Sequence, residues 1–307
     1  MAANCRREPS QPAAPAALYL MTNLIAAQLR ENLLAVFDDP SYRPPTLPAV
    51  ALELMSLSAD DDADVAEVVA LLERDEMLTA SLLRLVSSPL YAGRQPILSL
   101  HAAVVRLGVR GVRNAVFEAV ISKSVFSSHE YGETVSRVAR HSTLTAYITR
   151  IICRRAGLDP DLAFLCGLLH DVGFAALLLA VDHVEGKHAP PLVQLWKDID
   201  ELHEQATFLL TQRWQLPNEV VEVVGHHHHL HTGAFATTAA AVRLGDHLTQ
   251  HFDATVLGPL NEGGPMLGDC VGSFEMESAL NELRLSEGDL KFILAEAERT
   301  IPEIVLL

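Results

Sequence analysis

Apolar residues recur at steps of three and four along most of the chain, which is the period of a helix with one buried face. Short breaks that are polar or contain glycine or proline separate the periodic stretches. The pattern predicts helices over residues 24–37, 50–57, 65–72, 77–86, 98–107, 112–126, 135–156, 161–169, 173–182, 192–214, 218–227, 234–252, 275–283 and 287–297. No alternating stretch flanked by Asn-Gly or Asp-Gly indicates a hairpin. We therefore expect an all-α fold.

Composition and charge narrow the classes of function. Of the 307 residues, 39 are acidic and 23 basic, so the net charge of −16 argues against a phosphate-backbone binder and we expect no nucleic-acid partner. The four cysteines include no CxxC pair, which favours a reducing, cytoplasmic location. No uninterrupted apolar stretch approaches the ~20 residues of a spanning helix, so we expect no membrane association.

The placement of the fourteen histidines suggests a metal site. His170 and Asp171 follow an intensely apolar helix, where an imidazole and a carboxylate are costly unless something pairs them. Capping of the helix by these two side chains is the simpler explanation. Further ligand-type residues, however, fall on four other predicted helices: His141, His203, the run His226–His229 and Asp246. Ligands from several helices are what a metal site in a bundle core requires.

Several ordered motifs resemble the HDOD domain, the HD-related output domain of bacterial signalling proteins. They are Thr46-Leu47-Pro48, the stretches 73–79 and 82–88, Leu107-Gly108, the stretch 163–173 and Trp214-Gln215-Leu216-Pro217. The resemblance covers roughly residues 44–250. It implies an all-helical fold with an N-terminal helical half packed on an HD-type half, and a role in signal transduction, usually without enzymatic activity. We expect a tail and lead helix over 1–40, the HDOD domain over 41–252 with halves 41–128 and 129–252, and a C-terminal loop and helices over 253–307.

The resemblance also implies a ligand set, because this chain keeps ligand-type residues where many HDOD proteins have lost those of the wider HD phosphohydrolase superfamily. The matching residues are His141, His170, Asp171, His203, His227, His228 and Asp246. Consecutive helical residues point about 100° apart, so at most two of the four histidines 226–229 can reach one ion. Counted from Pro217, the pair falls on His227 and His228. We expect the other two, with His231, to be solvated or to form an adventitious nickel or zinc site.

Other positions depart from the catalytic HD-GYP relatives. Phe174 stands where those relatives commonly carry lysine, Arg137 stands where they offer an extra carboxylate, and the stretch 230–235 lacks the GYP sequence. These differences argue against a cyclic-di-GMP phosphodiesterase. A simpler one- or two-metal phosphohydrolase stays open, with Asp171 as its catalytic residue, because a metal-bound hydroxide needs few other groups to attack a phosphate ester.

Three functions remain. The first is a signalling adaptor that acts by contact with a separate partner protein, in which a bound metal is structural or sensory. The second is a metal-dependent phosphohydrolase acting on a nucleotide or another phosphate ester. The third is a di-iron sensor of oxygen or redox state, since mixed histidine and carboxylate ligands suit iron as well as manganese, zinc or nickel. One or two ions are expected, and an oligomer is possible.

Overall fold

The computed structural model describes residues 35–39, 41–59, 63–88, 91, 97, 99–122, 131–185, 192–229, 233–249, 252 and 273–304. Within these ranges the regular structure is entirely helical, which confirms the all-α fold class. Most of the first predicted helix, over residues 24–37, lies outside the described residues, and its end forms a 3-10 turn at Val36–Asp38.

The α-helices follow the predicted order with small changes at their ends. They are α1 Ala49–Leu57, α2 Val65–Leu72, α3 Glu76–Val86, α4 Leu100–Val120, α5 Gly132–Ala156, α6 Pro160–Leu169, α7 Val172–Glu185, α8 Leu192–Arg213, α9 Asn218–Gly225, α10 Ala236–Thr249, α11 Ser273–Glu282 and α12 Glu287–Ile304.

Side-chain caps set the starts of helices in the N-terminal half. Asp64 accepts a hydrogen bond from the backbone N–H of Ala66 at the start of α2, and Asp75 caps α3 in the same way. Each carboxylate satisfies a backbone donor that the first helical turn leaves unpaired. Helices α1 to α4 then bury their apolar faces against one another around Leu54, Leu72 and Phe117.

Helix α4 bends at Gly108. Two helices were predicted, over 98–107 and 112–126, and α4 consists of two helical stretches that meet at one non-helical residue, Gly108, at φ 69° and ψ 168°. Glycine adopts this positive φ without the steric cost that a Cβ would bring. The prediction of a break was correct, but one residue rather than four makes it.

The centre of the HD-like half is Pro160–His183, which comprises α6 and most of α7. This segment is long enough to span a membrane, and its most apolar 18-residue stretch has a mean hydropathy of 2.1, but 94% of that stretch is buried inside the described fold. His170 and Asp171 interrupt it between the two helices. Helices α5, α8, α9 and α10 surround the interruption, so the break lies in the interior of the bundle.

Described segments before and after this bundle attach to it. The Tyr42 hydroxyl donates a hydrogen bond to the Ala176 carbonyl at 2.9 Å, and Trp214 Nε1 donates to the Pro45 carbonyl at 2.9 Å. The C-terminal helices α11 and α12 share a second apolar cluster with α5 and α10, which includes Ile152 and Ile293. The C-terminal helices are therefore packed against the same helices that carry candidate ligands.

Candidate metal centre

The structure brings all seven predicted ligand residues together in the interior of the HD-like half. His141 comes from α5, His170 and Asp171 from the break between α6 and α7, His203 from α8, His227 and His228 from the turn after α9, and Asp246 from α10. Six of them are buried and His228 is half-buried. They form three overlapping groups whose ligand atoms lie within 4.8 Å of one another.

The first ligand group contains His141, His170, Asp246 and one oxygen of Asp171. His141 Nε2 lies 2.9 Å from Asp246 Oδ1 and 3.3 Å from His170 Nε2. His170 Nε2 lies 3.3 Å from Asp171 Oδ2. Two imidazoles and two carboxylates therefore converge on one small volume.

The second ligand group contains His203, His227, His228 and the other oxygen of Asp171. His203 Nε2 lies 3.3 Å from His227 Nε2 and 3.1 Å from His228 Nε2. Asp171 Oδ1 lies 3.4 Å from His227 Nε2 and 3.6 Å from His203 Nε2. Asp171 thus faces both groups, one oxygen to each, and would supply a ligand atom to an ion in either group.

These separations fit ligands of common ions. Ligand atoms about 2.1 Å from one ion lie roughly 3.0–3.4 Å apart at octahedral or tetrahedral angles. The distances between ligand atoms in the two groups run from 2.9 to 3.8 Å, so the shorter ones fall in this range and the longest exceeds it by about 0.4 Å. The donor set of five imidazoles and two carboxylates suits iron, manganese, zinc or nickel.

The backbone orients three of the histidines toward the cluster. The Nδ1 atoms of His170 and His227 lie 2.8 Å from the carbonyl oxygens of Gly167 and Val224, and His203 Nδ1 contacts the carbonyl of Asp200. A carbonyl can only accept, so each Nδ1 donates, and in the neutral form of the imidazole each Nε2 then presents its lone pair to the cluster. This is the usual outer contact of metal-bound histidine. Facing lone pairs repel unless a cation lies between them.

The pKa shifts in the cluster favour ionised carboxylates at Asp171 and Asp246 and neutral imidazoles at His203 and His228. Burial alone would raise the pKa of Asp171, but the charge and the hydrogen bond of His170 hold this pKa well below its usual range. Burial lowers the pKa of His203 well below its usual value. Burial together with the charge of His227 lowers the pKa of His228 to about 4. Burial opposes protonation of His170, but Asp171 and Asp246 outweigh it and raise its pKa to about 10. A positive charge is therefore favoured between the two carboxylates.

Close backbone packing holds α7 and α8 in place beside the cluster. Gly173 N–H donates to Thr207 Oγ1 at 3.0 Å, and this hydroxyl donates to the His170 carbonyl at 3.1 Å. A Cβ on Gly173 would lie 2.7 Å from the Thr207 nitrogen and would overlap the carbonyl oxygen of His203. Glycine is needed here because the backbones of α7 and α8 approach too closely for any side chain.

Phe174 covers one face of the second ligand group. Its ring stacks on the His203 imidazole, with ring centroids 4.3 Å apart and an interplanar angle of 18°, and its other neighbour in the stack is Trp196. The position at which catalytic relatives were expected to carry lysine is thus occupied by an apolar ring that restricts a ligand imidazole.

The remaining histidines of the run lie outside the ligand groups. The predicted helix over 218–227 was too long: α9 ends at Gly225, and φ of −141° at His226 begins a turn. His226 contacts Phe208 and the Glu222 carbonyl, while His229 is exposed and pairs with Glu204 at 3.2 Å. His231 lies outside the described residues. The turn allows His227 and His228 to converge although they are adjacent in sequence.

Two supporting residues were missed by the sequence interpretation. Thr207 bonds to the backbone of both His170 and Gly173, and Glu204 accepts the backbone N–H of His228 at 2.7 Å. Neither occupies a position with a distinctive spacing, because their partners lie on other elements. Arg137, by contrast, was noted from sequence, and it forms an ion pair with Glu133 at 2.5 Å on the exposed side of α5.

Comparisons with known proteins agree with this architecture. A family model described as the HDOD domain matches residues 45–230. An HDOD domain protein of unknown function from Geobacter sulfurreducens superposes with a TM-score of 0.67 at 25% identity, over 92% of this chain and 96% of that one. A Shewanella amazonensis protein, provisionally named a metal-dependent phosphohydrolase, superposes with a TM-score of 0.61 at 20% identity, over 84% of this chain and 97% of that one.

A curated relative from Treponema pallidum has no assigned function. It is 26% identical over 196 residues, which are 61% of this chain. The match spans 38% of the length of the Treponema protein.

Proposed function

Because this chain belongs to the HDOD family and holds seven ligand-type residues in one buried cluster, we propose that it is a bacterial signal-transduction module built around a two-metal centre. It passes its state to a separate partner protein by contact, in the cytoplasm. The observation that carries the proposal is the position of Asp171, whose two oxygens face the two ligand groups separately.

The metal centre would link elements that are otherwise separate. The ligands come from α5, α8, α10 and the two turns, so two ions held there would fix the relative positions of these elements. Ions that bind the folded but not the unfolded chain stabilise the fold by mass action. Loss, gain or oxidation of an ion would then change the shape or rigidity of the HD-like half, which a partner can sense.

Burial of the cluster favours this role over hydrolysis. The six most buried ligands expose no more than 4% of their surface, and Phe174 covers His203. A phosphate ester would need direct access to at least one ion, since hydrolysis requires an open coordination position.

A metal-dependent phosphohydrolase is the second candidate, and the shared Asp171 is the observation that favours it. A carboxylate between two ligand groups is the arrangement found where two ions activate a water and hold a phosphate. His228 is half-buried, so the second ligand group has the more accessible edge. In this candidate Asp171 is the catalytic residue, because it would touch both ions.

Elemental analysis tests the metal centre. The untagged protein is purified without chelator or nickel resin, beside His170→Ala/Asp171→Ala and a matched control, His226→Ala/Glu222→Ala, which removes a neighbouring imidazole and carboxylate outside the cluster. We expect about two ions per chain in the wild type and control and none in the first variant. Absence of metal from all three after incubation with iron, manganese, zinc and nickel would contradict the proposal.

Two further measurements separate the candidates. Metal-dependent turnover of bis-p-nitrophenyl phosphate and nucleotides, lost in the His170→Ala/Asp171→Ala variant, would establish the phosphohydrolase. Without turnover, metal-dependent hydrogen-exchange protection on the outer faces of α5 and α8 is the result expected of a contact-based module. If iron is the bound metal, the same exchange measurement under oxidising and reducing conditions tests a redox sensor.

A further inference from the structure

A cavity of about 830 Å³ lies away from the metal centre, between α4, α5 and α12. Four arginines line it: Arg106, Arg150, Arg154 and Arg155. The chain has only 23 basic residues and a net charge of −16, so four in one cavity are a marked local concentration. With Asp161 and Glu296 included, the described lining still carries a net charge of +2.

Two of these arginines are available to an anion. Among the residues that the structure describes, Arg106 and Arg154 form neither an ion pair nor a hydrogen bond, whereas Arg155 donates to Asp289 at 2.6 Å. Partial desolvation and the charge of Arg150 lower the pKa of Arg154. Like charges held this closely repel, and a bound anion would relieve the repulsion.

Arg150 supplies a fixed cation deeper in the cavity. Its guanidinium lies 3.8 Å from the centroid of the Phe164 ring, and its Nη2 lies 3.8 Å from Asp161 Oδ1. Its Nε is buried and has no hydrogen-bond partner within the described part of the chain. Stacking on Phe164 holds the guanidinium in place, so Arg150 adds a fixed positive charge to the cavity wall.

Aromatic side chains form other parts of the wall. Tyr91 and Tyr147 both donate to the buried Glu118 carboxylate, at 3.1 and 3.0 Å, which fixes their rings. Phe292 on α12 leaves 47% of its surface exposed. Aromatic faces beside guanidinium groups are what a planar base attached to phosphates would contact.

We propose that this cavity binds a phosphate-bearing ligand of the size of a nucleotide, with Arg106 and Arg154 on the phosphates and the aromatic wall against the base. Guanidinium groups bind phosphate oxygens through paired hydrogen bonds. The cavity volume lies within the ~300–1,000 Å³ of small-molecule sites. None of the seven candidate metal ligands is among its described lining residues, so this inference does not depend on the metal centre.

The location suits an input site. The cavity is lined by residues from the N-terminal half, from α5 and from α12, and α5 also carries His141. A ligand bound there would contact three parts of the chain at once and would oppose their separation.

The test measures binding of ATP, GTP and pyrophosphate by isothermal titration calorimetry in magnesium-free buffer. The variant Arg106→Ala/Arg154→Ala removes two exposed cations, so we expect circular dichroism and Tm to match the wild type. Arg74→Ala/Arg84→Ala is the matched control, because it lowers the net charge equally at exposed sites outside the cavity. The His170→Ala/Asp171→Ala variant detects phosphate binding at the metal centre instead.

We expect at least one of the two nucleotides to bind the wild type at least about tenfold more tightly than pyrophosphate does, since only a nucleotide uses the aromatic wall. We expect Arg106→Ala/Arg154→Ala to weaken that binding at least about tenfold, with less than about twofold change in the other two variants. The proposal would be overturned if neither nucleotide bound, or if pyrophosphate bound as tightly as the nucleotides. It would also be overturned if the Arg74→Ala/Arg84→Ala control weakened binding equally, or if binding were lost only in the His170→Ala/Asp171→Ala variant.

Discussion

Asp171 Oδ1 lies 3.4 Å from Nε2 of His227, while the other oxygen of the same carboxylate faces His170. Asp246, in contrast, contacts His141 and His170 of the first ligand group. The two aspartates therefore have different roles, since one belongs to both ligand groups and the other to one.

This difference predicts different metal contents for two single variants. Asp171→Ala should release both ions, because it removes a ligand from each group, whereas Asp246→Ala should leave about one ion in the second group. Elemental analysis after dialysis, with binding isotherms for each metal, measures the two contents. Retention of one ion by Asp171→Ala would show that the carboxylate is not shared.

Adjacent histidines provide a second test with an internal control. His228→Ala should weaken metal binding at the second ligand group, because His228 Nε2 lies 3.1 Å from His203 Nε2. His229→Ala should leave it unchanged, because His229 is exposed and pairs with Glu204. A loss of one ligand typically costs tenfold or more in affinity, by analogy with the about 10–100-fold cost of outer contacts. If the two variants bound metal with equal affinity, the assignment of His227 and His228 as the ligand pair would be wrong.

Gly173→Ala should disturb the centre without removing a ligand. The added methyl group overlaps the backbone of α8 at His203 and Thr207, so α7 and α8 must separate. Overpacking of this kind costs about 1–3 kcal/mol. Denaturant unfolding should show that loss, and metal titration should show weaker binding at the second ligand group, which contains His203. Ala70→Gly, at an exposed position of α2, measures the difference in helix propensity between alanine and glycine without a buried packing change.

Glu118 predicts a pH dependence of stability. Burial raises its pKa from 4.5 to about 7 despite the hydrogen bonds from Tyr147 and Tyr91. The folded state therefore holds a proton that the unfolded state has lost between pH 4.5 and 7. Protonated Glu118 therefore contributes fully to the free energy of unfolding below pH 4.5, and this contribution is lost as the pH rises through about 7. The loss is on the order of 3 kcal/mol.

Urea unfolding of the wild type and Glu118→Gln at pH 5 and pH 8 measures this contribution. The glutamine keeps an acceptor for the tyrosines but does not titrate, so its stability relative to the wild type should increase with pH. A constant difference between the two proteins would mean that Glu118 stays in one charge state throughout.

The sequence predicted the helices well because their signals are local. Helix α2 begins and ends as expected, since Asp64 supplies a cap and the apolar period stops at Leu72. The end of α9 was misplaced because the histidines 226–229 that follow Gly225 include no proline or glycine to mark a stop, while the chain turns so that His227 Nδ1 can reach the Val224 carbonyl. That bond has no signature in a hydrophobic pattern.

The site was predictable in residue type but not in arrangement. Resemblance to a family selected His141 and Asp246, which lie on helices far apart in sequence, and the structure brings them to 2.9 Å. Nothing in the sequence indicates which oxygen of Asp171 faces which imidazole, because that depends on the packing of α6 against α5. The arginine-lined cavity was missed for the same reason, since Arg106 and Arg154 belong to different helices and neither belongs to a motif.

The ligands extend from position 141 to position 246, and the most apolar segment, Pro160–His183, lies between them. During synthesis this segment leaves the ribosome before α8, α9 and α10, which cover it, exist. Exposed apolar chain of this kind is aggregation-prone and is a target for chaperones. Loading of the proposed metal centre would therefore follow synthesis of Asp246 in α10, so the metal available at that stage, rather than while α6 and α7 are made, would decide which ion is acquired.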